Sequence, residues 1–271
     1  MSLGSFTLVK NEARWIGAHL LRVLPFLDQM VFFDGNSTDG TVEIIERIAM
    51  DYPGKVKLFK NRDPKDLLGA YERMFNDCLW SLDTDLAIFL HPDMFVVNPE
   101  KFAQVKKSKA VALSSKMRSF AGEPDGPLLE IVGRAEVWKN IYRLRNPDLG
   151  AHYHGFYGAV AEDVYFSAIT GEQHAHFGGN LKEYPYAVED SGLEILHFSD
   201  VRTRERRIDR MVKCGISQGV TAEKSLDVAV RHPRVTLEDG HGFSFIPAEY
   251  PDEFLAAKRK YHHLEKHAAH V

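Results

Sequence analysis

The first hundred residues alternate short runs of β-type residues with longer segments in which apolar residues recur at helical spacing. This alternation constrains the fold more than any other feature, because it is typical of βαβ units around a mainly parallel sheet. Strands are predicted at residues 6–9, 30–33, 56–59 and 86–90, and helices at 12–24, 41–50 and 66–82. The last strand is apolar throughout, as expected of a central strand buried on both faces. The sequence therefore predicts an α/β fold with helices on both faces of a mainly parallel sheet.

The pattern becomes less regular after about residue 100. Strands are predicted at 110–113, 128–132 and 193–198, and helices at 161–169, 202–216 and 251–267. Stretches rich in Gly, Pro, His and aromatic residues separate them at 122–127 and 146–158, which is typical of loops. We therefore predict a soft boundary between residues 4–100 and 101–271, within one continuous domain.

Composition excludes several classes of protein. The 271 residues, 44% of them apolar, are enough for a packed core. A net charge of -4 gives no basic field for nucleic acid. No apolar run approaches the roughly 20 residues of a membrane helix. No signal peptide is evident, so a cytoplasmic protein is expected, for which peripheral membrane contact is allowed. The two cysteines, Cys78 and Cys214, are too far apart in sequence to indicate a disulfide framework or a Cys-rich zinc site.

Polar side chains follow three of the predicted strands. They are Lys10, Asn11 and Glu12 after the first, Asp34 and Gly35 after the second, and His91, Pro92 and Asp93 after the buried one. Ligands of open α/β sheets bind outside the carboxyl ends of the strands. The sequence therefore predicts a ligand site formed by these three segments. Taken alone, residues 34–41 also fit an ordinary turn in which Thr38 or Asp39 caps the next helix.

Residues 8–12 and 33–41 together resemble the opening of family 2 glycosyltransferases of the GT-A fold, and DGNSTDGT over residues 34–41 is the most specific part. The resemblance implies a Rossmann-like sheet, a nucleotide-sugar donor bound by residues 4–100, and an acceptor site shaped by residues 101–271. The donor-binding residues it implies are Asn11, Glu12, Asp34, Gly35, Ser37 and Asp39. The carboxylates of Glu12 and Asp34 would contact nucleobase and ribose, and a carboxylate is a strong acceptor for such N–H and O–H groups.

Family members place an Asp-x-Asp motif after the buried strand, where it holds a divalent cation against the sugar diphosphate. Here the segment is His91-Pro92-Asp93, so only Asp93 matches a metal-binding carboxylate. His91 is either an additional ligand or a neighbour, since Mg²⁺ prefers oxygen whereas Mn²⁺ tolerates imidazole. We expect Mn²⁺ or Mg²⁺ as cofactor. The alternative is a strand-ending turn with a capping Asp93.

A late segment, residues 194–199, resembles the histidine element of a lipopolysaccharide-core-type branch of the same family. The resemblance implies that His197 helps to hold the metal or the diphosphate. A buried structural histidine at the end of a strand is the other interpretation. In a site without a metal, basic side chains such as Arg202 or Lys213 would balance the charge of the diphosphate.

An inverting transfer needs a base that takes the proton from the acceptor hydroxyl. Glu162 and Asp163 resemble the family's Glu-Asp pair in order and setting, and we predict Asp163 first and Glu162 second. The helix macrodipole also favours acidic residues in a first turn, and Glu189 with Asp190 forms a rival pair.

Two pairs of histidines, at positions 152 and 154 and at positions 174 and 176, have the spacing that puts both imidazoles on one face of a strand. Without a third ligand of clear spacing they are a weak signal for a metal site. A role in lining the acceptor pocket or in structure is favoured.

The expected function is a glycosyltransferase that moves a sugar from a nucleotide-sugar donor to a carbohydrate or glycolipid acceptor, in the synthesis of cell-surface polysaccharide or lipopolysaccharide. The resemblance carries this expectation. Two alternatives remain, a sugar-binding relative that has lost turnover and a nucleotidyltransferase. The second would need a glycine-rich phosphate loop near the N-terminus, and residues 10–14 lack one.

Overall fold

The computed structural model of the protein describes residues 1–61, 77–79, 81–110, 112–124, 126–132, 137–143, 188–217, 221–237 and 244–259. The first hundred residues fold as β1 (Leu3–Val9), α1 (Ala13–Val23), β2 (Gln29–Asp34), α2 (Thr41–Ala49), β3 (Val56–Phe59), β4 (Leu86–Phe89) and β5 (Met94–Val96). All four predicted strands are found here, together with β5, which was not predicted. Of the helix predicted at 66–82, residues 77–79 are helical, and 62–76 and 80 lie outside the described residues.

A single 3-10 turn (Pro99–Lys101) leads into the second half. Its elements are α3 (Phe102–Val105), β6 (Ala112–Gly122), β7 (Leu128–Val132), β8 (Val137–Arg143), β9 (Val188–Val201), α4 (Arg204–Ser217), α5 (Ala222–Arg231), α6 (Pro233–Thr236) and β10 (Ser244–Ala248). Residues 252–259 are helical and form the start of the predicted terminal helix. The helix predicted at 161–169 lies outside the described residues.

The strands form one sheet with the order β10-β7-β6-β8-β4-β1-β2-β3. Neighbouring strands from β4 to β3 run parallel, and α1 and α2 follow β1 and β2 as connections between them. The predicted fold class, an α/β fold with a parallel sheet flanked by helices, is therefore confirmed. Beyond β4 the strands are no longer all parallel, because β8 pairs with β4 in the antiparallel direction. The two halves of the chain thus share one sheet.

Strand β9 lies beside this order and joins the short β5 to β6. Its residues pair with β6 in parallel and with the short β5 in the antiparallel direction, where Met94 lies opposite His197. At the end of β6, Gly122 has a φ of +149°, and an added Cβ would lie 2.5 Å from the carbonyl oxygen of Pro127. Such a backbone is open to glycine and strained for other residues.

Two groups of apolar side chains hold the fold together. The larger packs both faces of the parallel strands, including the buried face of α1 with Ile16, Leu20 and Val23. The smaller, which we call the aromatic cluster, contains Trp15, Phe95, Phe120, Phe198, Tyr250 and Phe254. Trp15 stacks on Phe198 with ring centroids 5.2 Å apart and an angle of 1° between the planes. The stack therefore joins the start of α1 to β9. Within the described residues, no helix has the length and apolar character needed to cross a membrane.

Candidate functional site

The polar segments that follow β1, β2 and β4 meet at one edge of the sheet. Strand β1 lies between β2 and β4, and all three run parallel, with Val9 opposite Asp34 in the register of β1 and β2. Asp34 is the last residue of β2 instead of the first after it, and its side chain is buried. Asp93 follows β4 by four residues and is also buried. Both carboxylates therefore lie at the carboxyl end of the parallel strands, where ligands of such sheets bind.

The segments after β1 and β2 are joined by hydrogen bonds from main-chain N–H groups to side-chain oxygens. The donors and acceptors are Asn11 to Ser37 Oγ (2.9 Å), Thr38 to Asn11 Oδ1 (2.8 Å), Glu12 to Thr41 Oγ1 (2.8 Å) and Ala13 to Asp39 Oδ2 (3.0 Å). The bonds from Glu12 and Ala13 satisfy N–H groups at the start of α1 that have no partner within the helix. The two sequence motifs are thus one structural unit, which we call the interlocked loops (residues 10–13 and 34–41).

Within the interlocked loops, Asp34 and Asp39 have different surroundings. The carboxylate of Asp34 accepts the N–H of Ser37 at 3.1 and 3.2 Å and closes a tight turn. Asp39 Oδ1 accepts from the N–H of Thr41 at 3.1 Å, so that Asp39 stabilises the starts of both α1 and α2. The sequence predicted Thr38 or Asp39 as the cap of α2, and the family resemblance also implied a donor-binding role for Asp39. The bond of Asp39 to Ala13, 26 residues earlier, depends on the tertiary structure and has no local pattern in the sequence.

Asp93 lies at the centre of a cluster of ionisable side chains. Its Oδ1 is 3.5 Å from His197 Nε2, and its Oδ2 accepts from Arg202 Nη2 at 3.1 Å. The same Arg202 nitrogen donates to Glu12 Oε1 at 3.1 Å. The Asp93 main chain is held as well, because its carbonyl accepts the N–H of Phe198 at 2.9 Å. We call Glu12, Asp93, His197 and Arg202 the ionic cluster; it connects the interlocked loops to β9.

His91 borders the ionic cluster. Its ring is parallel to that of His197, with centroids 6.4 Å apart, and it contacts Phe89 edge-on at 4.5 Å. Its Nδ1 is 3.4 Å from Thr7 Oγ1 in β1. Burial lowers the pKa of His91 to about 3, although the charge of Asp93 opposes this shift. His91 is therefore a neutral imidazole at physiological pH.

The carboxyl groups of Glu12 and Asp93 have opposite pKa shifts. Burial raises the pKa of Glu12 to about 7, and the charge of Arg202 only partly offsets that effect. Burial would also raise the pKa of Asp93, but His197 and Arg202 hold it well below its usual value. Among the described residues, no hydrogen-bond donor reaches Glu12 Oε2, which is buried. Asp93 therefore stays ionised at neutral pH and carries the negative charge of the cluster. Glu12 has an oxygen available to a ligand.

The side chains around Asp93 fit a divalent cation in part. Asp93 Oδ1 and His197 Nε2 are 3.5 Å apart, close to the roughly 3 Å between neighbouring ligands of an octahedral ion. Mn²⁺ accepts both oxygen and imidazole nitrogen. However, the described part of the chain contains no group of three or more His, Cys, Asp or Glu residues that could hold a metal. The pair therefore fits a cation whose remaining ligands are phosphate oxygens and water.

Several predicted residues lie elsewhere or outside the described residues. Glu189 and Asp190 are exposed and precede His197 by seven or more positions along β9, roughly 23 Å in an extended strand. Lys213 is exposed on α4 and pairs with Asp209 at 2.7 Å. The predicted bases Asp163 and Glu162, and the four histidines at 152, 154, 174 and 176, fall outside the described residues.

Sequence reasoning did not single out Arg210 or Thr7. Arg210 donates from Nη1 to the Ser199 carbonyl at 2.9 Å, and the same carbonyl accepts from Arg202 Nε at 2.9 Å. Arg202 and Arg210 therefore lie side by side next to Asp93. Their spacing of eight residues crosses the boundary of α4, so no helical periodicity marked them as neighbours.

The chain resembles several solved structures. No family model and no curated protein matches its sequence. Similar solved structures include a mannosyltransferase from Pyrobaculum calidifontis in complex with GDP-Man and Mn²⁺ (15% identity, 96% of this chain and 69% of that chain, TM-score 0.46). TarS of S. aureus has 14% identity over 83% of this chain and 68% of that chain, with a TM-score of 0.41. The inositol-1-phosphate CTP transferase of T. maritima has 11% identity over 82% and 98%, with a TM-score of 0.37. At these values the substrates and metals of the neighbours remain properties of those proteins.

Proposed function

We propose that this protein is a glycosyltransferase that moves a sugar from a nucleotide-sugar donor to a hydroxyl of a carbohydrate or glycolipid acceptor, with inversion. One observation carries the proposal: the interlocked loops, which bear the glycosyltransferase-like motif, lie against the ionic cluster at the carboxyl end of the parallel strands. A motif that served only as a turn and helix cap would need no connection to buried Asp93 and His197. The family resemblance of this motif supports a reaction in the synthesis of cell-surface polysaccharide or lipopolysaccharide, and the resemblance of residues 194–199 supports a branch close to the lipopolysaccharide-core type.

The donor would be bound by residues 4–100. Asp34 and Glu12 would accept hydrogen bonds from ribose and nucleobase, because both are buried acceptors at the ligand-bearing edge. Asn11, Ser37 and Asp39 would shape the loop around the nucleotide, since their hydrogen bonds hold residues 10–13 and 34–41 together. Gly35 would belong to the same loop, and its N–H donates to the Val9 carbonyl at 2.9 Å. Residues 101–271 would shape the acceptor site.

The reacting end of the donor would lie at Asp93. Asp93 and His197 would hold a divalent cation, with His91 as a neighbour, and that ion would neutralise the leaving diphosphate when bound. Arg202 and Arg210 would add positive charge beside it. The base that accepts the proton of the acceptor hydroxyl is predicted at Asp163 or Glu162.

A screen of donors tests this proposal. The full chain is heated with UDP-, GDP-, CMP- and dTDP-sugars, each with Mn²⁺ and with EDTA, and the release of nucleoside diphosphate is then measured for any donor that raises Tm. A ligand at 100 times its Kd stabilises a protein by about 2.7 kcal/mol, so binding is detectable. We expect one donor class to bind and to be hydrolysed slowly.

The other outcomes separate the alternatives. His91 in place of the first carboxylate favours one of them, a relative that binds the donor without turnover. Binding of a donor without any release of nucleoside diphosphate, also after addition of acceptor sugars, would support that reading. No stabilisation by any nucleotide-sugar would contradict both. Release of pyrophosphate from a nucleoside triphosphate would identify a nucleotidyltransferase.

A further inference from the structure

Arg202 is bound to both carboxylates of the ionic cluster. One nitrogen, Nη2, lies 3.1 Å from Glu12 Oε1 and 3.1 Å from Asp93 Oδ2, while Nε donates to the Ser199 carbonyl at 2.9 Å. Glu12 and Asp93 are 13% and 4% exposed, so these are largely desolvated charge-assisted hydrogen bonds. The guanidinium therefore acts as the internal counter-ion of Asp93.

The main chain of Arg202 is held in place independently of its side chain. Its N–H donates to the carbonyl of Gly122 at 3.1 Å, and its own carbonyl accepts from Arg207 Nη1. Gly122 ends β6 and Arg207 belongs to α4, so the backbone is attached on both sides. A change of partner at Arg202 therefore needs only a side-chain rotation. The side chain is 17% exposed, so a solute can reach it.

A second arginine adds positive charge at the same place. Arg202 Nε and Arg210 Nη1 donate to the same Ser199 oxygen, each at 2.9 Å, which brings two guanidinium groups together. Like charges at this separation repel one another, and the repulsion is stronger in a partly buried site than in water. Asp93 offsets part of it. In the ligand-free protein, carboxylates stabilise the two arginines. A bound polyanion would stabilise them further.

A divalent cation at Asp93 would lie close to both arginines. Without another anion, its binding to Asp93 and His197 would be opposed by the charge of Arg202, which already occupies Asp93 Oδ2. A nucleoside diphosphate brings several negative oxygens, to which a guanidinium can donate as a fork. Arg202 would then have a new partner, and Asp93 would become available to the cation.

We propose that Arg202 excludes divalent cations from Asp93 in the nucleotide-free protein and transfers to the diphosphate when nucleotide binds, so that cation binding depends on nucleotide. Arg202 is in this role a positioning residue for the donor complex. The proposal rests on the proposed function for the identity of the anion, but its first consequence concerns the nucleotide-free protein alone.

The decisive experiment measures the binding of Mn²⁺ alone, by electron paramagnetic resonance of the free ion. Wild type, Arg202→Gln, Arg202→Lys and Arg206→Gln are compared, the last being an exposed arginine of α4 that serves as control. We expect Arg202→Gln to bind Mn²⁺ at least tenfold more tightly than wild type and to gain thermal stability from it. Arg202→Lys keeps the positive charge, and Arg206→Gln leaves the cluster intact, so both should bind as weakly as wild type.

Equal Mn²⁺ affinity of folded Arg202→Gln and wild type would overturn the proposal. If Arg202→Gln does not fold, the proposal is tested on wild type alone. Its Mn²⁺ affinity should rise at least tenfold with a saturating nucleoside diphosphate. Unchanged affinity in that titration would likewise contradict the role of Arg202. If no nucleotide binds, the glycosyltransferase proposal fails, while the comparison of the nucleotide-free variants still tests the exclusion of cations by Arg202.

Discussion

Ser37 Oγ accepts the backbone N–H of Asn11 at 2.9 Å, although the two residues lie 26 positions apart in loops that follow different strands. The bond joins the two sequence motifs that carry the family resemblance. It also means that the geometry of the interlocked loops depends on a side-chain contact between residues that are distant in sequence.

The first prediction therefore concerns Ser37→Ala. The variant leaves the Asn11 N–H without its acceptor, which should lower the free energy of unfolding by about 1 kcal/mol and weaken nucleotide binding through a loosened loop. Urea denaturation and calorimetry measure the two effects. Thr38→Ala is the matched control, because it keeps the 2.8 Å bond from the Thr38 main-chain N–H to Asn11 Oδ1 and removes only a long 3.4 Å bond from Thr38 Oγ1 to the same oxygen. A larger effect of Thr38→Ala than of Ser37→Ala would contradict this role of Ser37.

Asp34→Ala should weaken nucleotide binding more directly. Loss of one charge-assisted hydrogen bond costs about 1.5–3 kcal/mol of affinity, and the variant should still fold. Asp34→Asn distinguishes the loss of the nucleotide contact from the loss of the turn, since the amide oxygen of asparagine can still accept the N–H of Ser37. Calorimetry with nucleotide should therefore show a loss for both variants and a loss of stability mainly for Asp34→Ala. Wild-type affinity in Asp34→Ala would remove Asp34 from the donor site.

Asp93→Asn and His91→Ala distinguish the two candidate metal positions after β4. Asparagine keeps the shape of Asp93 but removes the charge that attracts a cation, so turnover should fall sharply and nucleotide binding should lose its dependence on Mn²⁺. His91→Ala should have a smaller effect because Asp93 retains the anionic charge. Nucleotide affinity is measured with Mn²⁺ and with EDTA for both variants and wild type. Equal wild-type affinities under the two conditions would instead favour a site in which Arg202 and Arg210 supply the positive charge.

The raised pKa of Glu12 predicts a pH dependence of stability. Burial shifts this pKa from 4.5 to about 7, so the folded protein binds the proton more tightly than the unfolded chain. The resulting stabilisation is complete below pH 4.5 and is lost as the pH rises to about 7. Relative to Glu12→Gln, which cannot titrate, wild type should lose about 3 kcal/mol over this range.

Urea denaturation at a series of pH values measures this difference. Glu43→Gln, which changes an exposed residue of α2, controls for the removal of a carboxylate. A difference between wild type and Glu12→Gln that stays constant with pH would show that Glu12 keeps an ordinary pKa in the folded protein.

Gly122→Ala should be strongly destabilising. A Cβ at this position would lie 2.5 Å from the Pro127 carbonyl oxygen, and the φ of +149° is strained for alanine. We expect a loss of about 2 kcal/mol or more, measured by denaturation, together with weaker nucleotide binding because the Gly122 carbonyl holds Arg202. Gly54→Ala is the control, since its φ of +78° is also unfavourable but no atom of the described residues lies within 4 Å of the added Cβ. A smaller loss in Gly122→Ala than in Gly54→Ala would contradict the clash.

The sequence predicted β4 and residues 30–33 of β2 well because these residues are apolar on both faces. Strand β4 reads as a continuous apolar run and is buried throughout. By contrast, only the start of β6 was predicted, because serines interrupt its apolar pattern. Ser115 and Ser119 are buried in the structure, and Ser115 Oγ lies 3.2 Å from Ser191 Oγ of β9. The partner that makes Ser115 compatible with a buried strand lies 76 residues away.

In the candidate site, too, features set by neighbouring residues were predicted and contacts between distant residues were not. The motifs at residues 10–12 and 34–41 are local in sequence, so their position at the strand ends was predictable. The ionic cluster depends on Arg202, which is 190 residues from Glu12 and 109 from Asp93. No local pattern records such a contact, and Arg202 therefore entered the sequence analysis only as a substitute for a metal.

The stack of Trp15 on Phe198 allows the site to be followed by tryptophan fluorescence. Trp15 follows Glu12 by three residues, and Phe198 follows His197 in β9, so the stack joins the two segments that carry these members of the ionic cluster. The guanidinium of Arg14 also lies over its ring at 5.3 Å. A change of partner at Arg202 or His197 should alter the emission of Trp15. The chain has three tryptophans, and replacement of Trp80 and Trp138 by phenylalanine would leave Trp15 as an intrinsic fluorescent reporter, with which nucleotide and cation binding can be timed in the unlabelled protein.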